Sequence, residues 1–123
     1  MRRGCTVVVD WLASGWRSAR FESELMTAFV IGQMQIQNRD WMAEYFARIP
    51  DLVAAHGGRF LVRGGNPSGL EGDLLIPDAA FILEFPDRES ANDFWTSAEF
   101  QDLAELRRSG SKLNAILVDR LVE

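Results

Sequence analysis

The chain has 123 residues, of which 47% are hydrophobic and 25% charged, a length and composition that predict one globular domain of ordinary soluble type. Its 13 basic and 18 acidic residues give a formal charge of -5, which argues against a broad nucleic-acid footprint and against anionic polymers as partners. Cys5 is the only cysteine and His56 the only histidine, so no intrachain disulfide can form and zinc and iron-sulfur spacings are missing. The expected compartment is a reducing cytoplasm, and neither a metal nor another cofactor is expected.

Residues 1–25 read differently from the rest. Arg2 and Arg3 precede the apolar run Thr6-Val7-Val8-Val9 in the manner of a signal peptide, but Asp10 and Arg17 interrupt it and no small-residue cleavage site follows. The run is too short to cross a bilayer, so no membrane partner is expected. A weakly ordered extension over 1–25 is the favoured reading; the alternative is a segment that lays Trp11 and Trp16 on the domain formed by 26–123.

From Thr27 to Ile36 the alternation predicts a first strand, with Ala28, Val30, Gly32, Met34 and Ile36 on one side and Phe29, Ile31, Gln33 and Gln35 on the other. Asn38 or Asp40 is expected to cap a helix whose inward stripe is Trp41, Tyr45, Ile49, Leu52 and His56, with Pro50 bending or restarting it. Gly57 and Gly58 offer the positive φ that ends a helix, and a second strand then places Arg59, Leu61 and Arg63 opposite Phe60 and Val62. Gly64 to Gly69 is rich in turn formers, Leu70-Glu71-Gly72 is expected to resume extended structure, and this connection is the expected place for a bulge.

Ala79 to Phe85 reads as a third strand that Pro86 ends, with Asp87 capping the next helix. That helical region extends from Arg88 to about Arg108, with Ala91, Phe94, Trp95, Phe100, Leu103 and Leu106 as inward positions and Ser97 capping a restart. Leu113 to Val118 supplies a fourth strand. The order βαββαβ is that of ferredoxin-like α+β domains with a four-stranded antiparallel sheet. Two helices can cover only one face of such a sheet, yet both faces of strands one and three carry apolar side chains. Phe29, Ile31, Leu61 and Ile82 therefore need a cover, and a homodimer packed sheet to sheet is predicted.

The segments Ala28-Phe29-Val30-Ile31-Gly32, Ala55-His56-Gly57-Gly58-Arg59-Phe60-Leu61-Val62-Arg63-Gly64-Gly65, Leu70-Glu71-Gly72, Leu83-Glu84-Phe85-Pro86 and Trp95-Thr96-Ser97-Ala98-Glu99-Phe100-Gln101 occur in this order. In that combination the chain resembles the bacterial domain of unknown function 1330, within the dimeric α/β-barrel superfamily, from about Met26 to Arg120. The family usually has proline where Ala98 stands and tyrosine where Phe100 stands. The resemblance implies a ferredoxin-like fold and homodimerisation, and it implies no particular reaction.

Strand parity brings Gln33, Gln35, Arg63 and Glu84 to the apolar surface expected inside the dimer. An Arg63–Glu84 ion pair is the favoured reading, and bidentate capture of a ligand carboxylate by Arg63 is the functional one. His56 is the only ready general base near neutral pH, although an imidazole at a helix end more often bonds a free carbonyl. Glu71 is expected either at a cavity mouth or, preferably, in a surface pair with Arg59 or Arg88. Trp95 and Tyr45 could stack on a planar ligand, but aromatics at helical spacing are more often core.

The glycine-rich segment lacks the lysine of a phosphate-binding GxxxxGK[ST] loop, and no GxSxG elbow exists. The expected function is small-molecule binding, of a carboxylate or aromatic metabolite. One form of it is a cofactor-independent enzyme in which Arg63 anchors the substrate and His56 or Glu84 moves a proton, by fold analogy. The alternative is a non-catalytic binding or accessory protein.

Overall fold

A computed structural model of the protein describes residues 26–121. The expectations for residues 1–25, including the role of Trp11 and Trp16, lie outside the described residues. Strand β1 (Ala28–Ile36) is followed by helix α1 (Met42–Ala55), strands β2 (Arg59–Gly64) and β3 (Ala79–Phe85), helices α2 (Arg88–Thr96) and α3 (Ala98–Arg108), and strand β4 (Ser111–Asp119). The sheet is antiparallel with the order β2-β3-β1-β4, as the βαββαβ reading requires. No helix among the described residues is long and apolar enough to cross a membrane.

The alternation in β1 separates two faces. Ala28, Val30 and Met34 are buried under the helices, whereas Phe29, Ile31 and Gln35 are half-buried and Gln33 is exposed on the opposite, open face. Strand pairing sets Val30 beside Leu83 and Leu117 on the helix face, and Ile31 beside Ile82 and Ile116 on the open face. The helix side is closed by Tyr45, Ile49 and Val53 of α1 with Phe94, Phe100 and Leu103 of the second helical layer. Burying each large side chain contributes about 2 kcal/mol, and the Phe94–Phe100 and Trp95–Phe100 ring contacts at 4.5 and 4.7 Å add orientation.

The helix ends show which capping signals won. Asp87 accepts the Ser90 N–H at 2.7 Å and Ser97 accepts that of Phe100 at 3.2 Å, so both expected caps form and the second helical region divides at Ser97. At α1 the expected caps do not. Trp41 occupies the capping position without a side-chain bond, because Asn38 is spent one turn earlier, accepting from Asp40 N at 3.1 Å while its carbonyl accepts from the Trp41 indole at 2.8 Å. Helix α1 also runs through Pro50 rather than restarting, and Val53 takes the buried position that the sequence pattern gave to Leu52.

Gly57 ends α1 at φ 81°, a conformation costly for any residue with a Cβ. Gly58 serves a different need: a Cβ there would meet the Phe85 ring at 2.5 Å. Two further expectations are corrected. Leu70-Glu71-Gly72 does not enter the sheet, since no ladder pairing occurs between Gly64 and Ala79. The bulge lies inside β2, where the register moves from Phe60↔Leu83 to Val62↔Ile82 and leaves Leu61 without an opposite residue.

Candidate functional site

The bulge decides where Arg63 points. Simple alternation puts Arg63 with Arg59 on the open face, but one extra residue reverses the parity beyond it. Val62 then pairs with Ile82 of the open face, and Arg63 pairs with Phe81, whose neighbours Leu83 and Phe85 are buried under the helices. Arg63 therefore reaches the helix side of the sheet edge. Its guanidinium lies 5.3 Å from the Phe46 ring centre and 5.5 Å from that of Phe60, contacts worth about 0.5–1 kcal/mol each at a partly exposed site.

Beneath that guanidinium a cavity of about 410 Å3 opens between the helices and the β2–β3 side of the sheet. Its walls are Tyr45, Phe46, Phe60, Phe81, Trp95 and Phe100, with Met34, Met42 and Leu83 filling between the rings. Gly32 allows this wall to form, because a Cβ on it would overlap the Phe81 ring. The polar groups sit at one end: Arg39, Arg63, Asn66 and Asp78. Asp78 is already engaged, accepting from Ile36 N at 2.8 Å and donating its own N–H to the Met34 carbonyl at 2.9 Å. Arg63 has no carboxylate partner among the described residues.

Tyr45 contributes the hydroxyl among the lining groups. Burial raises its pKa above the ordinary tyrosine value, and the charge and hydrogen bonding of Arg107 offset part of that rise. Among the described residues no cluster of three or more His, Cys, Asp or Glu side chains could hold a metal ion. The chemistry the cavity offers is an apolar, aromatic slot with excess positive charge at its mouth, a shape suited to a flat molecule carrying one negative group.

Of the residues singled out from sequence, Arg63, Tyr45 and Trp95 are brought together here. The others are not. Gln33 and Gln35 lie on the open face beside Ala80, Asn114 and Lys112. Glu84 pairs with Arg59 at 2.6 Å rather than with Arg63, since the bulge parts Arg63 from the open-face row while Arg59 stays directly opposite Glu84. His56 caps α1, with Nδ1 3.2 Å from the Leu52 carbonyl and its ring edge-on to Phe94 at 5.7 Å. Glu71 stands exposed in the β2–β3 connection; the arginines expected to hold it are taken, Arg59 by Glu84 and Arg88 by Asp119.

Sequence reasoning passed over Phe46, Phe60, Phe81, Arg39 and Asp78. Phe46 flanks the buried stripe of α1 by one position, a signal that the side of the helix toward β2 was also apolar. Asp78 immediately precedes β3, after Pro77, where its carboxylate could have been expected to cap the strand end. Nothing in the residue pattern announced a bulge at Leu61.

Over residues 27–121 the chain matches the family model described as Domain of unknown function (DUF1330). No curated protein matches it. Among solved structures it is similar to RPA0582, a protein of unknown function from Rhodopseudomonas palustris, at 14% identity and a TM-score of 0.66, with 89% of this chain and 95% of that chain covered. It is also similar to SnoaB, a cofactor-independent oxygenase from Streptomyces nogalater, at 13% identity and a TM-score of 0.54 over 79% of this chain and 95% of that one. The de novo designed protein Foldit4 shares the fold at 11% identity and a TM-score of 0.52, with 77% of this chain and 99% of that chain covered. At such identities the likeness shows a common fold, and its presence in a designed protein illustrates why fold alone assigns no reaction.

Proposed function

The chain belongs to the DUF1330 family, and from that premise we propose that it is a homodimeric small-molecule-binding protein that takes an aromatic or apolar carboxylate into the cavity under Arg63. The observation that carries this reading is the guanidinium of Arg63, held over two rings at the mouth of an aromatic cavity with no carboxylate partner among the described residues. A ligand carboxylate meets it bidentately, the ligand's apolar body displaces water from between Tyr45, Phe46 and Trp95, and Arg39 adds a second positive charge at the rim.

Binding is favoured over catalysis by where the proton-moving candidates lie. His56 is occupied with a backbone carbonyl and Glu84 with Arg59, and neither lines the cavity. The reading gives both residues structural roles. The likeness to a cofactor-independent oxygenase supports a scaffold able to work without a resident cofactor, and it carries no residue across.

A thermal-shift screen of aromatic and aliphatic carboxylates at neutral pH tests the proposal. A planar acid is expected to raise the melting temperature, and Arg63→Ala to weaken its binding about tenfold or more while lowering the unliganded melting temperature by several degrees through the lost ring contacts. If no acid shifts the protein, or if the hit binds Arg63→Ala as tightly as the parent, the cavity is not a carboxylate site.

A further inference from the structure

Arg107 lies in the last turn of α3 and is only 3% exposed. Among the described residues no carboxylate pairs with it; the neighbouring Arg108 takes Glu105 at 3.2 Å. Its Nε is buried with no hydrogen-bond partner. The carbonyl end of α3 offsets part of this charge and Tyr45 hydrogen-bonds the guanidinium, but neither supplies the counter-charge that a guanidinium taken out of water requires. A positive group so placed is short of an anion.

The surroundings fit one. Arg107, Arg108, Ser111 and Lys112 line a depression of about 480 Å3 whose apolar side includes Trp95. Three cationic side chains and no carboxylate meet there, in a chain whose formal charge is -5. The Ser111 hydroxyl donates to the Arg107 carbonyl at 2.7 Å, which pins the turn; the guanidinium, which also hydrogen-bonds Tyr45, is left as the donor, and Lys112, rooted on the open face opposite Gln35, contributes charge at the sheet edge. Arg108 spends its donors on Glu105 and Gln101, both at 3.2 Å, and contributes charge at the rim.

We propose that Arg107 is the buried anchor of a second site, separate from the carboxylate cavity, that binds a small oxyanion such as phosphate or a carboxylate, with Arg108 and Lys112 adding positive charge at its rim. The oxyanion accepts from the guanidinium of Arg107. Trp95 borders both sites, so the indole is the wall they share.

The test uses the full chain with inorganic phosphate in one arm, acetate in another, and chloride at matched ionic strength as the control. Phosphate or acetate is expected to raise the melting temperature by about 5 °C beyond chloride at saturating concentration, and whichever acts more strongly identifies the oxyanion class. Arg107→Met is expected to abolish the rise and Lys112→Ala to weaken the apparent affinity several-fold, so the test stands even if Arg107→Met fails to fold. Arg63→Ala is expected to leave the rise intact, which separates this site from the cavity. Tyr45 is the sole tyrosine, and a bound oxyanion that cancels the Arg107 charge moves its phenolate absorbance transition to higher pH. Equal behaviour in phosphate, acetate and chloride, or a rise that survives Arg107→Met, overturns the proposal.

Discussion

Arg63 and Arg107 carry the same group with no carboxylate partner among the described residues, and their settings give that shared lack different meanings. Arg63 is exposed and keeps its water, so pairing with a ligand adds to an already tolerable state; Arg107 is buried, so the free protein itself bears the cost. Asp87 shows the opposite case, a charge whose partner is built in. Its carboxylate receives the backbone N–H of Ser90 at 2.7 Å, and that bond holds its pKa below the usual carboxylate value. A depressed folded-state pKa stabilises the fold above the unfolded value, and the contribution is lost as pH falls through the folded one. Asp87→Ala is therefore expected to lose about 1 kcal/mol at neutral pH, with the difference from the parent shrinking below about pH 4. Asp87→Asn keeps an acceptor at the same place and should show no such pH dependence. Denaturant melts from neutral to acid pH measure both.

At the scale of elements, one inserted residue in β2 determines what the protein can bind. If the bulge at Leu61 is what turns Arg63 to the helix side, it does so by adding one residue to β2, and deleting Leu61 closes the register with Val62 still opposite Ile82 and Arg63 still opposite Phe81. The expected outcome is a folded protein that keeps carboxylate binding, because the parity of Arg63 is unchanged. Loss of binding in a folded variant would mean that the cavity depends on the local bend and twist of the bulge as well as on which face Arg63 takes. The same element marks the limit of what could be read from the residues. Strands, helix breaks and the caps at Asp87 and Ser97 follow from local periodicity and local hydrogen bonding, which the chain displays in order. The choice of partner for Arg63 depends on a register between β2 and β3, two segments joined by an exposed connection, and pairing across such a distance leaves no periodic trace. Tyr45 and Trp95 were legible because stripe residues must face the core, and the cavity borrows them from it.

For the molecule as a whole, the feature that demands a partner is the open face of the sheet. Helices α1, α2 and α3 all pack on one side, while Phe29, Ile31, Ile82, Ile116 and Val118 lie in neighbouring positions on the other. Ile116 remains 61% exposed, and Leu61 is 46% exposed at the bulge. An apolar row of this kind costs free energy in water and is unusual on a monomer. A second copy placed sheet to sheet would bury it isologously, each Ile116 meeting the same surface on its partner, and an interface of about 800 Å2 per copy would suffice for a stable dimer. The Arg59–Glu84 pair lies at the edge of this face, with the Arg59 side chain 72% exposed, where a charged rim suits it. Ile116→Lys places like charges opposite each other at the centre of the contact and is expected to give a folded monomer, with little loss of carboxylate binding because the cavity lies on the helix side. Light scattering at micromolar concentration decides it. A parent protein that is monomeric, or an Ile116→Lys variant that stays dimeric, would require the apolar row to be covered in another way. Loss of binding together with the dimer would mean that the partner shapes the cavity through the sheet.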